Sequence, residues 1–191
     1  MIVEFFVVDT KDFTIEHLFD SPENLESIAG FQATNGAAGL EYYLKSQSVE
    51  DEENNCSRTY LVKDALSAEL VAYFSLKTGL ITIQLEGDSF DSVPAIELAN
   101  FAINKCYKDS HPETHKLGFY TFKKFILPIV QRISAYVGAN ALYIYALPED
   151  RLINHYQTMG FERLPEQQER FVQCHVKPKY DEGCIFMYQP I

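Results

Sequence analysis

Residues 93–161 constrain the fold of this chain more than any other stretch. The segment VPAIELANFAIN (93–104) is almost continuously apolar, which is typical of a central strand covered on both faces. Residues 117–137 then place apolar side chains at steps of three and four, which predicts a long amphipathic helix. The segment ALYIYAL (141–147) has the β-branched and aromatic content of a strand. A strand, a helix and a second strand in this order predict a parallel crossover within a sheet.

Proline and glycine mark the ends of two helices in this region. Pro148, followed by Glu149 and Asp150, predicts the start of a short helix, because proline fits the first helical position and carboxylates are stabilised near the positive helix end. Gly160 is expected to end that helix. Pro128 lies inside the long helix and should kink it, because proline removes a backbone donor.

The remaining elements predict an antiparallel meander before the crossover. They are a strand over 2–8, helices over 14–29 and 39–50, a loop over 50–55, strands over 57–62, 68–77 and 80–85, and a last strand over 184–189. A tight turn is expected at Lys77-Thr78-Gly79. The whole pattern predicts an α+β fold with a mixed central sheet flanked by helices. We expect one domain spanning residues 1–191.

The net charge of −11 is concentrated in the first third of the chain. Residues 1–56 hold two lysines against twelve carboxylates, whereas residues 57–191 hold fourteen basic against fifteen acidic groups. An acidic protein is repelled by phosphates, so the composition disfavours broad nucleic-acid binding. One local exception is a basic segment within 104–124 that carries Lys105, Lys108, Lys116, Lys123 and Lys124.

The cysteines and the hydropathy pattern indicate a cytoplasmic protein. Four cysteines without a C-x-x-C pair are expected to be free thiols; they are Cys56, Cys106, Cys174 and Cys184. A zinc site built from Cys174, His175 and Cys184 would need a fourth ligand, so no metal is expected. No window reaches the roughly 18 apolar residues of a membrane span.

Several segments resemble the GNAT superfamily of N-acetyltransferases. They are VPAIELANFAIN, KLGFYTFKKFILPIV, ALYIYAL and INHYQTMGF, with RTYLVK and LVAYFSL resembling the second and third strands. The resemblance covers residues 57–164 well and the first 56 residues weakly. Within the superfamily it looks most like small bacterial acetyltransferases that include toxins acetylating aminoacyl-tRNA. It implies the acyl-CoA N-acyltransferase fold, with parallel strands that splay apart at the sheet centre.

The resemblance also implies acetyl-CoA as cosubstrate. The pantetheine would hydrogen-bond to the backbone of Phe101, Ala102 and Ile103. The pyrophosphate would lie on backbone amides of a phosphate loop, which we define as residues 115–120, because the start of a helix favours anions. This loop comprises His115, Lys116, Leu117, Gly118, Phe119 and Tyr120.

The phosphate loop departs from the superfamily pattern Arg/Gln-x-x-Gly-x-Gly/Ala. With Gly118 at the last position, Glu113 takes the first and Lys116 replaces the first glycine. The Cβ of Lys116 disfavours a positive φ and could obstruct a phosphate, although its ammonium could equally contact one. Whether this loop still binds CoA is left open by the sequence.

Two residues are candidates for proton transfer. The resemblance places Tyr156 as the general acid that protonates the thiolate, and the alternative is an aromatic packed on the apolar side of its helix. Glu97 is the candidate base, because a carboxylate in an apolar strand must be paired, exposed or functional. His155 is a surface or supporting residue in this interpretation, and Asn100 is a candidate for substrate binding or for a hydrogen bond within the core.

Three functions follow, and the first is preferred. It is an N-acetyltransferase of a small-molecule or peptide amine, with an acidic N-terminal third that could attract cations. The second is a toxin-like acetyltransferase of aminoacyl-tRNA, which the acidic charge disfavours. The third is a non-catalytic GNAT scaffold that binds a protein partner. The acceptor is not identified, no membrane partner is expected, and a homodimer is possible.

Overall fold

The computed structural model describes residues 13–87, 89–175 and 183–191. The strand predicted over 2–8 lies outside these residues. The described strands are β1 Phe13–His17, β2 Arg58–Asp64, β3 Leu70–Gln84, β4 Phe90–Ile103, β5 Ala141–Ala146, β6 Glu162–Arg163 and β7 Ile185–Pro190. The described helices are α1 Pro22–Ala29, α2 Ala38–Ser46, α3 Ser48–Glu53, α4 Lys105–Ser110, α5 Leu117–Thr121, α6 Leu127–Val137, α7 Asp150–Met159 and α8 Glu166–His175. No helix among these residues is long and apolar enough to cross a membrane.

The strands form one mixed sheet in the order β1-β2-β3-β4-β5-β7-β6. β1, β2 and β3 pair in antiparallel fashion, β4 and β5 pair in parallel, and β7 lies antiparallel to both β5 and β6. The predicted α+β fold, with its meander and its parallel crossover, is therefore confirmed.

Contacts group the chain into two compact units. Of the described residues, the first unit holds 13–76 together with 100–127, and the second holds 77–87, 89–99, 128–175 and 183–191. β3, β4 and the long helix each contribute to both units. The expectation of a single domain over residues 1–191 stays a prediction.

Each unit has its own apolar core. In the first unit Leu18, Phe31, Leu44, Leu61 and Tyr73 are fully buried in one cluster. In the second, the cluster is formed by Ile81, Ala95, Ala141, Tyr143, Val172 and Phe186. Each fully buried large apolar side chain contributes about 1.5–3 kcal/mol to folding.

The first third of the chain corrects two predictions. Residues 13–17 form β1 and not the start of a helix, because they pair residue by residue with β2 from Phe13–Asp64 to His17–Tyr60. The acidic run predicted as a loop over 50–55 belongs largely to α3. There Glu52 is buried and accepts a hydrogen bond from Arg58 Nη1 at 3.1 Å, which offsets the desolvation of its charge.

The expected turn at Lys77-Thr78-Gly79 is also wrong, because β3 runs through these residues without a break. The absence of a side chain at Gly79 serves packing: a Cβ there would lie 2.1 Å from the Tyr143 hydroxyl oxygen. Glycine in a strand interior often marks such a close approach.

The long helix is confirmed from Leu117 to Val137, and its irregularity takes a specific form. Residues Phe122–Ile126 form a π-helical turn, in which the backbone N–H of Leu127 donates to the carbonyl of Phe122. This turn ends two residues before Pro128. A proline cannot donate and its ring clashes with the carbonyl four residues earlier, and the widened turn accommodates both effects. The kink predicted at Pro128 stays a prediction.

Candidate functional site

The phosphate loop keeps the backbone conformation that glycine would favour. Lys116 precedes α5 with φ 55° and ψ 30°, which is the left-handed region. Lys116 thus adopts a conformation that glycine would adopt without strain. A non-glycine residue in this region costs about 1 kcal/mol, and the fold tolerates that cost here.

The phosphate loop begins with exposed side chains and continues with buried or half-buried residues. Leu117 and Phe119 are buried, His115 and Lys116 are exposed, and Tyr120 is half-buried. The ring of Tyr120 packs edge-on against Phe13 at a centroid distance of 5.5 Å, and the backbone N–H of Tyr120 donates to the Lys116 carbonyl at 2.9 Å. The backbone amides at the start of an α-helix point toward its N-terminus and favour negative charge there, so this helix start is a candidate for binding an anion.

The predicted pantetheine segment lies at the end of β4. Ala102 is buried in the core cluster of the first unit, whereas Phe101 and Ile103 are half-buried. The strand ends at Ile103. The next residue is Asn104, whose Nδ2 donates to the Leu70 carbonyl at 2.6 Å and whose Oδ1 accepts the Cys106 N–H at 3.2 Å. Asn104 thus joins β4 to the start of α4.

Asn100 has a structural partner. Its Nδ2 donates to the Ser75 hydroxyl oxygen on the neighbouring strand at 2.8 Å. This hydrogen bond accounts for a polar residue in an otherwise apolar strand.

Glu97 lies where β4 and β5 stop pairing. The described register joins Ala95 to Ala141, Ile96 to Leu142 and Glu97 to Tyr143, and both strands continue beyond that last pair. Glu97 is buried, and the Tyr143 hydroxyl donates to its Oε2 at 3.2 Å. Burial, and then the Glu97 charge, raise the pKa of nearby Tyr145. A buried carboxylate of this kind needs such donors.

Tyr156 projects from α7 and is half-buried. Its ring meets that of Phe161 edge-on at a centroid distance of 5.7 Å. Burial raises the pKa of Tyr156 to about 12, so the phenol is protonated at neutral pH, as a general acid must be. Gly160 ends α7 with φ 103°, as predicted.

His155 lies on the exposed side of α7. Partial desolvation of its ring, and then the charge of Arg151, lower the pKa of His155. The side chain is therefore largely neutral at pH 7.

Two lysines of the basic segment have partners within the protein. Lys105 forms an ion pair with Asp109 at 2.6 Å, and the Lys123 ammonium lies over the Phe119 and Phe122 rings at 5.7 and 5.4 Å. Among the described residues, no group of three or more His, Cys, Asp or Glu side chains could hold a metal ion.

The candidate residues fall into two sets. Phe101–Ile103 and the phosphate loop belong to the first unit, and Glu97 and Tyr156 belong to the second. Tyr143 was missed by sequence reasoning. Only the parallel register of β4 and β5 brings it opposite Glu97, and that register has no local sequence signal.

Comparison with solved structures identifies the fold, whereas no protein-family model and no curated protein matches the chain. AtaT complexed with acetyl-methionyl-tRNAfMet is 20% identical, with a TM-score of 0.64 over 94% of this chain and 95% of that chain. A tyrosine-to-phenylalanine mutant of KacT is 18% identical, with a TM-score of 0.66 over 95% of each chain.

A third structure contains the cosubstrate that the resemblance implies. It is a tyrosine-to-phenylalanine mutant of the AtaT toxin, bound to acetyl-CoA and to the C-terminus of the antitoxin AtaR. It is 18% identical, with a TM-score of 0.62 over 94% of this chain and 93% of that chain. The predicted GNAT fold is confirmed by these similarities.

Proposed function

We propose that this protein is an acetyl-CoA-dependent N-acetyltransferase that acts on a primary amine. The observation that carries the proposal is the end of β4–β5 pairing at Glu97 and Tyr143 while both strands continue. Beyond Glu97, the backbone of β4 is released from its parallel neighbour. The N–H and C=O groups that face β5 could then hydrogen-bond an extended ligand such as pantetheine, whereas those on the other edge pair with β3.

The phosphate loop supports the same cosubstrate. Its left-handed Lys116 directs the chain into a helix start, where backbone amides would bind the pyrophosphate. In this proposal Phe101, Ala102 and Ile103 bind the pantetheine through their backbone, and residues 115–120 bind the phosphates. The Lys116 ammonium adds positive charge beside the anion.

The transfer can be written with Glu97 as base and Tyr156 as acid. Glu97 takes a proton from the acceptor ammonium, and the neutral amine forms the C–N bond as the thioester carbonyl becomes an oxyanion. The C–S bond then breaks, and the sulfur takes the Tyr156 proton. The phenolate recovers a proton from the nitrogen of the new amide. The products are the acetylated amine and CoA thiol, and the proton on Glu97 passes to solvent.

The raised pKa of Tyr156 is compatible with this role. A thiol has an ordinary pKa of about 8.5, so a phenol with a pKa of about 12 is a weak acid toward a thiolate in water. Desolvation also raises the pKa of a thiol, so the pKa values of the phenol and the thiol lie closer together in a site that excludes water. Mutants of AtaT and KacT that replace a tyrosine with phenylalanine lose only a hydroxyl, which is the group that the proposal assigns to Tyr156 here.

A second candidate narrows the acceptor to aminoacyl-tRNA. It is favoured by the fold similarity to AtaT complexed with acetyl-methionyl-tRNAfMet. It is opposed by the net charge of −11, because tRNA binding depends on neutralising phosphates. An α-amine has an ordinary pKa of about 8 and a lysine amine about 10.4, so a much larger fraction of the α-amine is neutral near pH 8 and this acceptor would depend less on Glu97.

Titration calorimetry with acetyl-CoA tests the cosubstrate, with dephospho-CoA as comparison. Micromolar affinity is expected, and absence of binding would favour the non-catalytic scaffold. Thiol release is then measured with polyamines, peptide amines and charged tRNAs, each against a blocked-amine control. Turnover limited to charged tRNA, together with growth arrest on expression, would select the second candidate.

A further inference from the structure

Three neighbouring strands bring Gly79, Glu97 and Tyr143 together in the second unit. Glu97 and Tyr143 face each other in the β4–β5 register, and the Tyr143 ring reaches past Glu97 to Gly79 on β3. Only about 7% of Glu97 and 6% of Tyr143 is exposed. The contact between them is therefore made within the packed sheet and not on a mobile surface.

Gly79 makes room for this arrangement. A Cβ at this position would lie 2.1 Å from the Tyr143 hydroxyl oxygen and 2.7 and 2.8 Å from two carbons of its ring. Contacts this short do not occur between real atoms, so the Tyr143 ring occupies the volume that any other residue at position 79 would need.

Neighbouring rings hold Tyr143 in place. It stacks on Phe186 at a centroid distance of 5.5 Å and meets Tyr145 edge-on at 5.9 Å. A ring packed on several sides has little rotamer freedom. The direction of its hydroxyl is therefore set by the core, and that hydroxyl is the donor to Glu97 Oε2 at 3.2 Å.

We infer that Tyr143 is a positioning residue that orients the Glu97 carboxylate toward the acceptor amine. We also infer that position 79 holds glycine because any side chain there would overlap the Tyr143 ring. The inference rests on the proposed acetyltransferase function. A carboxylate side chain rotates about three bonds, and a donor at one oxygen restricts that rotation. Orientation matters because a base displaced by about 1 Å can lose about a hundredfold in rate.

A double-mutant cycle on kcat separates positioning from general structural support. The wild type, Tyr143→Phe, Glu97→Gln and the double variant are assayed with acetyl-CoA and the amine of the panel that is acetylated fastest. Tyr143→Phe should lower kcat about tenfold without changing the KM for acetyl-CoA, and it should have no further effect in the Glu97→Gln background. Tyr188→Phe removes a hydroxyl from a ring stacked on Phe186 and is the matched control, with kcat unchanged.

The outcomes distinguish this inference from the function on which it rests. If Tyr143→Phe lowers kcat equally in both backgrounds, or in neither, the positioning role is overturned. Turnover by the wild type would still support the proposed transferase activity. Wild-type kcat in Glu97→Gln would remove the base itself from the proposed mechanism. Absence of turnover with every amine would overturn both proposals.

The role of Gly79 is tested without any acceptor, by urea unfolding of the full chain. Gly79→Ala should lower the unfolding midpoint in the wild type, and much less in a Tyr143→Ala background where the ring is gone. If Gly79→Ala lowers the unfolding midpoint equally in both backgrounds, glycine is needed for the backbone at position 79 and not for the packing of Tyr143.

Discussion

At the scale of single residues, the site depends on groups whose surroundings change their chemistry. Burial raises the pKa of the Tyr156 phenol, the Glu97 carboxylate accepts a hydrogen bond from Tyr143, and Lys116 has the left-handed backbone that glycine favours. None of these properties belongs to the residue type itself. Each can be tested by one substitution.

Tyr156→Phe should lower kcat by about a hundredfold, because it removes the hydroxyl that we propose as the acid for the departing sulfur. The affinity for acetyl-CoA, measured by calorimetry, should stay nearly the same. The pKa of about 12 means that the wild-type rate should not fall through ionisation of Tyr156 up to pH 10. A variant with wild-type kcat across this range would exclude Tyr156 from the mechanism.

Lys116→Gly should stabilise the protein by about 1 kcal/mol, because glycine adopts the left-handed backbone without strain. Chemical unfolding measures this change, and Lys116→Ala, which keeps the strain, is the control. If backbone amides hold the pyrophosphate, the affinity of Lys116→Gly for acetyl-CoA should fall less than tenfold. A larger loss would assign the binding to the ammonium.

At the scale of secondary structure, helix ends determine where the candidate residues point. α7 carries Tyr156 and ends at Gly160 in the left-handed region, whereas α5 begins directly after Lys116. The π-helical turn before Pro128 keeps the long helix continuous. A change at a helix end should therefore affect stability and the site together.

Gly160→Ala should destabilise the protein by about 1 kcal/mol, because φ 103° is unfavourable for alanine. Gly39→Ala is the matched control. Gly39 lies within α2 and its φ is not positive. Apart from its chain neighbours and the nearby backbone of its own helix, no heavy atom lies within 4 Å of the added Cβ, so this variant should gain about 0.5–1 kcal/mol. Thermal or urea unfolding gives both values, and equal signs for the two variants would contradict the explanation.

At the scale of the whole molecule, the tyrosines make stability sensitive to alkali. The pKa is raised above its usual value of 10, chiefly by burial, in Tyr60, Tyr73, Tyr107, Tyr145 and Tyr156. The unfolded chain releases these protons near pH 10 and the folded chain only at higher pH. Stability from this source is complete below pH 10 and is lost as the pH rises through the folded-state values.

Unfolding free energy should therefore fall between pH 10 and 11, by up to about 1.4 kcal/mol per pH unit for each tyrosine that stays protonated in the folded state. Urea unfolding at pH 9, 10 and 11 measures the slope. Tyr145→Phe should reduce that slope by the contribution of one proton. Identical slopes in the two proteins would show that Tyr145 ionises equally in both states.

Much of the architecture was determined by the sequence alone, because its signals are local. The apolar run of β4, the three-and-four spacing of residues 117–137 and the glycine at position 160 predicted the crossover and its helix ends, and the structure confirms them. Local sequence signals gave wrong predictions where pairing with a distant segment determines the structure. Residues 13–17 form a strand only because β2 lies beside them.

The details of the candidate site were decided by the tertiary structure. Gly79 was predicted as a turn residue, yet its missing side chain accommodates Tyr143, which is 64 residues away along the chain. The left-handed backbone of Lys116 opposes the preference of lysine, and the pairing of Tyr143 with Glu97 depends on strand register. The sequence shows the helix or strand propensity of each segment and the spacing of its apolar residues. Contacts between distant segments form only with the sheet, because their free energy comes from packing between those segments.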